Sequence, residues 1–204
     1  MKYIALITAA SALGFSSCKN PADSKNDAQV SDAQEVATSE NGTTYTFTED
    51  STIKFIGSKV TGSQEGSFKT FTGQFILEDG EPTSGSASID MHSTHTEKEK
   101  LTAHLKNADF FDVEKFPTTT FSVTQFKKNS DTSYDLSMNV ELHGVTKNIT
   151  FPTTVEKSED SIHIKAEFNI NRQDFGISYA GKKDDLIRDE VVIKLDIKAK
   201  PQAE

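Results

Sequence analysis

Histidines are the residues of this chain with the widest chemical use, and His92 and His95 lie three positions apart, with His104 farther along. Imidazole nitrogens bind Zn²⁺ when further histidine, cysteine or carboxylate ligands complete the site. In an extended segment this spacing directs the two side chains to opposite sides, and no cysteine or strong acidic pattern accompanies them. The sequence therefore favours no metal site, and we expect His104 to be a hydrogen-bonded histidine on a buried helix face.

Common catalytic motifs are missing from the sequence. It has no Gly-x-Ser-x-Gly nucleophile elbow, no phosphate loop, and a single cysteine, Cys18, near its N-terminus. The acidic pairs at 78–79 and 184–185 lie in polar turns, where we expect solvated carboxylates instead of a general acid and base. We therefore expect no enzyme activity and no cofactor.

Three cations, Arg172, Lys147 and Lys69, fall in the apolar phase of a predicted strand, at its end. A strand interior would exclude a charge there, so we hypothesise that one or more of them meets an anionic or polar headgroup at the mouth of a barrel. Arg172 is favoured because a guanidinium binds phosphate through two parallel hydrogen bonds. The alternative is an ion pair of Arg172 with Asp174 or Asp109 that fixes a loop.

The elements that must position these residues are predicted to be β-strands. From Thr43 onward, apolar and polar residues alternate with a period of two. The clearest example is SIHIKAEFNINR, in which every second residue from Ile162 to Ile170 is apolar and the residues between are polar. Such a strand has one face in a core and one face in water. Eight or nine strands of this kind, joined by short turns, predict an all-β antiparallel barrel or sandwich.

A helix-like segment interrupts the strands between Met91 and Thr118. A Ser or Thr at 93–96 is expected to cap the helix, and glutamates follow in its first turn, where the helix dipole favours them. We expect Leu105 and Ala108 to pack on the barrel. The apolar stripe at helical spacing consists of Leu101, His104, Leu105 and Ala108.

Adjacent phenylalanines follow this stripe in the stretch HLKNADFFDVEKFP. On a straight helix Phe110 would lie opposite Leu101, so the helix must end or tighten near residues 107–109. We expect Phe110, Phe111 and Phe116 to plug or border a cavity mouth.

The charge balance argues against one class of partner. The chain has 22 Lys and Arg against 31 Asp and Glu, a formal net charge of -9, and no basic patch. Such a surface repels phosphate backbones. We therefore expect no nucleic-acid partner.

The N-terminus has the three parts of an export signal. Lys2 supplies the positive end, an apolar run extends from Ile4 to Phe15, and small residues precede Cys18. The run is too short to span a bilayer. The sequence FSSC resembles the lipobox of bacterial lipoproteins, which predicts a signal peptide over 1–17 and lipidation of Cys18. The alternative is an ordinary cleaved signal that leaves a free thiol.

Residues 18–42 are predicted to be a disordered tether to the membrane. They include only two aliphatic side chains larger than alanine, Val30 and Val36, and no aromatic one. Such a segment buries too little apolar surface to offset its ordering entropy. Lys19 after the cysteine resembles signals that direct lipoproteins to the outer membrane. We expect a lipid-anchored protein of the cell envelope.

Three ordered motifs carry a resemblance that covers about residues 44 to 199. They are AHLKNADFFDVEKFPTTTF, then GVTK at 144–147, then NRQDFGI at 171–177. Together they resemble the YceI-like family of lipid and polyisoprenoid-binding proteins. The chain departs from the family pattern in its first strands, where Phe55 stands for a tryptophan and Gln64 for a frequent histidine.

The resemblance implies, for residues 43–204, a lipocalin-like antiparallel barrel of about eight strands with one helical insertion. It also implies that a long apolar molecule binds inside, where the residue pattern alone is equally compatible with a barrel filled by side chains. The residues expected to contact ligand are Phe55, Phe71, Phe75, Phe110, Phe111, Phe121, Met138, Phe151, Phe168, Ile170 and Arg172.

We therefore predict a membrane-tethered barrel that sequesters or carries a long-chain amphiphile, such as a polyisoprenoid or a fatty-acid-like lipid. The alternative is a structural or interaction protein of the envelope with a filled barrel. A hydrolase acting on envelope lipids would need a polar group beside a histidine in an apolar phase, and the sequence has none. The identity of the lipid and the formation of a homodimer are left open.

Overall fold

The elements that the structure describes are almost all β-strands. The computed structural model describes residues 20–39, 41–158 and 160–202. Its helices are α1 (Glu99–Lys106) and three 3-10 helices, Pro21–Ser24, Met91–Ser93 and Arg172–Phe175. Its strands are β1 (Asn26–Asp27), β2 (Gln29–Asp32), β3 (Thr43–Phe47), β4 (Thr52–Lys59), β5 (Gly62–Phe68), β6 (Phe71–Glu78), β7 (Glu81–Asp90), β8 (Thr94–Thr96), β9 (Thr118–Lys128), β10 (Ser133–Leu142), β11 (Val145–Lys157), β12 (Ile162–Asn171), β13 (Gly181–Lys182), β14 (Asp185–Leu186) and β15 (Glu190–Pro201).

The main sheet closes on itself. β15 pairs with β12 along one edge and with β3 and β4 along the other, and the remaining wall strands pair with their neighbours in chain order. β3 and β4 are two segments of one long strand, as are β5 and β6, because each pair of segments follows the same partner strand in the same direction. The result is a closed antiparallel barrel of eight strands, which confirms the predicted fold class.

Alternation explains why each strand takes its orientation. In β12, Ile162, Ile164 and Phe168 are buried, while Lys165 and Glu167 are exposed. Phe168 lies opposite Ile193 of β15, so apolar residues of adjacent strands meet on the inner face. A shift of one residue would turn this entire apolar set outward, which fixes the register.

Tight turns join the strands at both ends of the barrel. The β10–β11 hairpin turns through His143 and Gly144, with φ angles of 54° and 75°. A two-residue hairpin turn with positive φ at both central residues has a twist that matches the twist of the two strands it joins. The ring of His143 packs on that of Phe116 at 4.7 Å between ring centroids.

The helical insertion between β8 and β9 differs in detail from the sequence-based expectation. No side chain caps α1, which begins after Lys98. The helix ends at Lys106, in agreement with the expected break, and the backbone then turns through Asp112, whose φ is 45°. Leu105 is buried, but Ala108 is exposed because the helix has already ended.

Residues 20–39, which we call the strap, pair with strands of the barrel wall. β1 pairs parallel with β12, and β2 pairs antiparallel with β11. This differs from the expected disordered tether over 18–42: the strap forms backbone hydrogen bonds with strand edges, a source of order that composition does not report. The predicted signal segment and Cys18 lie outside the described residues, so lipidation stays a prediction.

Within the part of the chain that the structure describes, no helix has the length and apolarity to cross a membrane.

Candidate functional site

A cavity of about 190 Å³ lies inside the barrel. Strands all around the barrel contribute to its wall, and α1, Phe110 and the segment from Arg172 to Ile187 add to it. Apart from two glycines, only Ser86, Thr119 and Arg172 among the lining residues are not apolar. The cavity therefore offers dispersion contacts and very few hydrogen bonds to an occupant.

Aromatic rings form one side of the cavity. The ring of Phe55 lies 5.4 Å from that of Phe68 and 6.2 Å from that of Phe111, centroid to centroid. Gly66 on β5 makes this packing possible, since a Cβ there would lie 2.2 Å from the ring of Phe55. Phe111 thus contacts the wall from the segment that follows α1, as the sequence led us to expect.

A second aromatic group joins α1 to the segment after β12. The rings of His104, Phe110 and Tyr179 lie 5.0 to 5.1 Å from one another. His104 was expected to be buried and hydrogen-bonded. Its side chain is instead 36% exposed, and its nearest ionic contact is Asp109 at 3.7 Å between Nε2 and Oδ2. The edge-to-face packing accounts for its place on the apolar stripe.

Arg172 lies at the end of β12 and is 4% exposed. Its Nε donates to the carbonyl of Arg188 at 3.2 Å, its Nη1 to the carbonyl of Ile177 at 2.6 Å, and its Nη2 to the carboxylate of Asp189 at 2.8 Å. The acid that pairs with it is Asp189, not the expected Asp174 or Asp109. Arg172 therefore holds the segment between β12 and β15 while its stem lines the cavity.

The two lysines proposed as headgroup contacts lie elsewhere. Lys147 pairs with Asp32 of the strap at 3.0 Å. Lys69 is exposed, because the chain between β5 and β6 is interrupted at residues 69–70 and the alternation changes phase there. Neither lysine lines the cavity.

Nine of the eleven predicted ligand-contact residues line the cavity, and two do not. Phe151 is 1% exposed and stacks on Phe168 with 3.8 Å between ring centroids. Phe71 is partly buried and packs against the core cluster that contains Phe75 and Met91. The nine lining residues are Phe55, Phe75, Phe110, Phe111, Phe121, Met138, Phe168, Ile170 and Arg172. Their contact with a ligand stays a prediction.

Sequence reasoning missed other parts of the wall. Phe175 and Ile177 lie in the motif NRQDFGI, so the motif itself was a signal that could have identified them. Phe47 and Phe68 come just before the interruptions of the two kinked strands, where alternation is lost. Ile187 follows the short β13–β14 hairpin, a segment with no periodic pattern that would indicate it.

A polar cluster joins strand ends at one end of the barrel. The Tyr134 hydroxyl donates to Glu81, and Nζ of Lys157 and Lys128 lie 2.6 and 2.9 Å from the same carboxylate. Hydrogen bonds from Lys157, Tyr134 and Lys128 lower the pKa of Glu81 to about 2, from its ordinary value of 4.5. Burial and the bond to Glu81 raise the pKa of Tyr134 to about 12.

Among the described residues, no group of three or more His, Cys, Asp or Glu side chains is arranged to hold a metal ion.

A closed antiparallel barrel around an apolar cavity places this chain in the class of lipocalin-like barrels. Residues 45–199 match the model of the YceI-like domain, and the chain belongs to that family. This confirms the family resemblance carried by the three motifs.

Curated relatives support the same assignment. The chain is 35% identical over 127 residues to a UPF0312 protein of Pseudomonas putida strain F1, an alignment that covers 57% of this chain and 65% of that relative. It is 32% identical over 124 residues to protein YceI of Salmonella arizonae, with 55% and 63% covered. The chain therefore spans somewhat less than two thirds of the length of these relatives.

Solved structures share the fold. Burkholderia cenocepacia BcnA has a TM-score of 0.68 at 22% identity, with 74% of this chain and 96% of BcnA covered. A polyisoprenoid binding domain from Saccharophagus degradans, implicated in plant cell wall breakdown, has a TM-score of 0.66 at 16% identity, with 79% and 100% covered. At these identities the likeness concerns the fold.

Proposed function

We propose that this protein binds a long-chain apolar amphiphile, a polyisoprenoid or a fatty-acid-like lipid, inside its barrel and sequesters or carries it. The observation that carries the proposal is the cavity wall, which is apolar except at Ser86, Thr119 and Arg172. Removing a hydrocarbon chain from water gains about 0.8 kcal/mol for each buried CH₂. Such a wall can bind a hydrocarbon chain that has no polar groups, without hydrogen bonds or ion pairs to that chain.

The same wall predicts modest selectivity. An apolar pocket discriminates between chains that differ by one methylene by only about 1 to 3 kcal/mol. We therefore expect chains of similar length to compete with one another. The Saccharophagus degradans domain, described as polyisoprenoid binding, supports the proposed ligand class.

Binding without covalent chemistry is part of the proposal. The guanidinium of Arg172 already donates to three acceptors of the protein. Ser86 and Thr119 present no polar atom to the cavity, and no histidine is among the lining residues, so the wall offers no activated nucleophile.

We also propose that the protein acts in the cell envelope. The support is the sequence of residues 1–18, with Lys2, the apolar run and Cys18 in the order of a lipoprotein signal. Lipidation of Cys18 would anchor the barrel to a membrane, and Lys19 favours the outer membrane. Mass spectrometry of the mature N-terminus tests this point, since an unmodified Cys18 would contradict it.

Titration with cis-parinaric acid, a fluorescent fatty acid, tests the ligand proposal. Ala87 lines the cavity on β7, so Ala87→Phe should fill it and weaken binding by about tenfold or more. Thr120 is exposed on the neighbouring strand, and Thr120→Phe is the matched control that should bind as the unmodified protein does.

Failure of the unmodified protein to take up this probe or a long polyisoprenol would contradict the proposal. It would favour the alternative of an envelope interaction protein with a filled barrel. Equal binding by Ala87→Phe and Thr120→Phe would instead place the ligand outside the cavity. Thermal unfolding of both variants shows whether each remains folded.

A further inference from the structure

The barrel wall has a seam between β11 and β12. These strands pair directly only from Thr154 to Lys157 on β11. Farther along, the strap supplies the missing neighbour, with Asn26 and Asp27 on the edge of β12 and Gln29–Asp32 on the edge of β11. β11 and β12 run in opposite directions. A strap that runs in one direction between them is therefore parallel to β12 and antiparallel to β11, as observed. The strap is therefore an inserted strand.

This inserted strand lies next to residues that line the cavity. Val30 lies opposite Ile149 of β11, and Asn26 lies opposite Phe168 of β12. Ile149 and Phe168 both line the cavity. Between them Ala28 packs against the core cluster that contains these residues. The strap thus fills the seam beside these two lining residues, although no strap residue itself lines the cavity.

Hydrogen bonds hold the strap more than apolar burial does. Ala22 is its one fully buried apolar residue, whereas Val30 and Val36 are 37% and 44% exposed. The side-chain amide of Asn169 donates to the carbonyl of Ala22 at 3.0 Å and to the carboxylate of Asp27 at 2.9 Å.

Ion pairs add to these contacts at the surface. Lys25 pairs with Glu167 at 2.8 Å, and all the charged groups involved are partly exposed. Exposed ion pairs contribute little to stability. Segments with few buried apolar contacts open locally at a lower free energy than the core strands do.

We propose that the strap is a gate in the side wall, and that its release opens the seam between β11 and β12 for entry and exit of the apolar ligand. This inference rests on the proposed function, which identifies the molecule that enters and leaves as an apolar ligand. Removing a strand that lies between two others leaves their backbones about 10 Å apart, two strand spacings. The stacked rings of Phe151 on β11 and Phe168 on β12 cross this gap, so the passage lies beyond that ring pair, where the backbones are farther apart than the width of a single hydrocarbon chain.

The gate lies outside the region that matches the family domain. The strap precedes residues 45–199, which match the family model. It begins two positions after Cys18. A lipid anchor at Cys18 would therefore hold the gate close to the membrane in which an apolar ligand resides.

A disulfide lock tests the gate in the full chain carrying Cys18→Ser. Gln29 and Thr150 lie opposite each other and neither lines the cavity, so Gln29→Cys with Thr150→Cys should tie the strap to β11. Oxidation should slow both uptake and release of cis-parinaric acid by about tenfold or more in stopped-flow fluorescence. Dithiothreitol should restore both rates. Unchanged rates in the oxidised protein would overturn the proposal.

Loosening the strap should have the opposite effect. Asn169→Ala removes the amide that donates to the strap and should speed uptake of the probe severalfold. The matched control is Lys165→Ala, on the outer face of the same strand, where the lysine pairs with Glu156 instead of the strap. Equal rates for the two variants would contradict the gate.

Hydrogen exchange separates this inference from the proposed function. If the unmodified protein takes up no cis-parinaric acid, the proposed function fails without reference to the strap. The gate is then tested by the hydrogen-exchange rates of the backbone amides of Ala28 and Ala37, which donate to the carbonyls of Asn169 and Val123. They should exchange faster than the amides of β10, and the lock should slow them. Exchange as slow as that of β10 would overturn the gate.

Discussion

Arg172 is the residue whose chemistry differs most from what its position in the sequence suggests. It continues the apolar phase of β12, as a headgroup contact at a barrel mouth would. Its guanidinium instead donates to two carbonyls and to Asp189. A buried group with these partners stabilises the segment that it ties together.

We predict that Arg172→Ala lowers the free energy of unfolding by about 2 kcal/mol, because buried carbonyl acceptors lose their donor. Affinity for palmitate and for palmityl alcohol, a charged and an uncharged chain of equal length, should fall by the same factor. Chemical denaturation and ligand titration measure the two effects. A selective loss of palmitate binding would restore the headgroup role.

The partner of Arg172 could not be predicted from the sequence. Its charge and its place at a strand end were evident, and an ion pair that fixes a loop was one of the two alternatives. The acid that completes the pair, Asp189, is 17 positions away, at the end of a segment without periodicity. Only the closure of β12 on β15 brings these two residues together.

Among the elements, long alternating strands were predictable and interrupted ones were not. β12 and β10 follow a strict two-residue period, so their inner faces could be read directly. At 69–70 the chain breaks between β5 and β6, and the alternation resumes in the other phase. Because of this break, Lys69 points outward and Phe68 was not predicted to line the cavity. Periodicity gives no information about side-chain direction across an interruption.

The ends of four strands meet at Glu81, whose carboxylate binds Tyr134, Lys157 and Lys128. Since its folded-state pKa of about 2 lies below 4.5, the unfolded chain binds the proton more readily. The stabilisation is present above about pH 4.5 and is lost as the pH falls toward 2. We predict that Glu81→Gln flattens the fall in the free energy of unfolding across this range.

Urea denaturation at a series of pH values measures this slope. Glu114 is exposed and lies outside the cluster, so Glu114→Gln is the control that should keep the steep fall. Identical slopes for Glu81→Gln and the unmodified protein would show that the cluster does not couple folding to protonation.

At the scale of the whole molecule, the strand pattern indicated a barrel or a sandwich, the family resemblance indicated a closed barrel, and the pattern alone did not show a cavity. Alternating strands with one dry face must bury that face, and a closed meander does so without exposed edges. Whether side chains fill the interior depends on how they pack across it, which no single strand reveals. The ordered structure of the strap could not be predicted from the sequence either, because its composition is that of a disordered segment.

The central claim is that the cavity holds a long apolar molecule. The most direct test is to purify the full chain from its native host under conditions that retain bound lipid, extract it with organic solvent, and identify the extract by mass spectrometry. A long-chain lipid or isoprenoid should be recovered in near-stoichiometric amount, and the Ala87→Phe protein should yield much less. An extract of the unmodified protein that contains no such lipid would contradict the account.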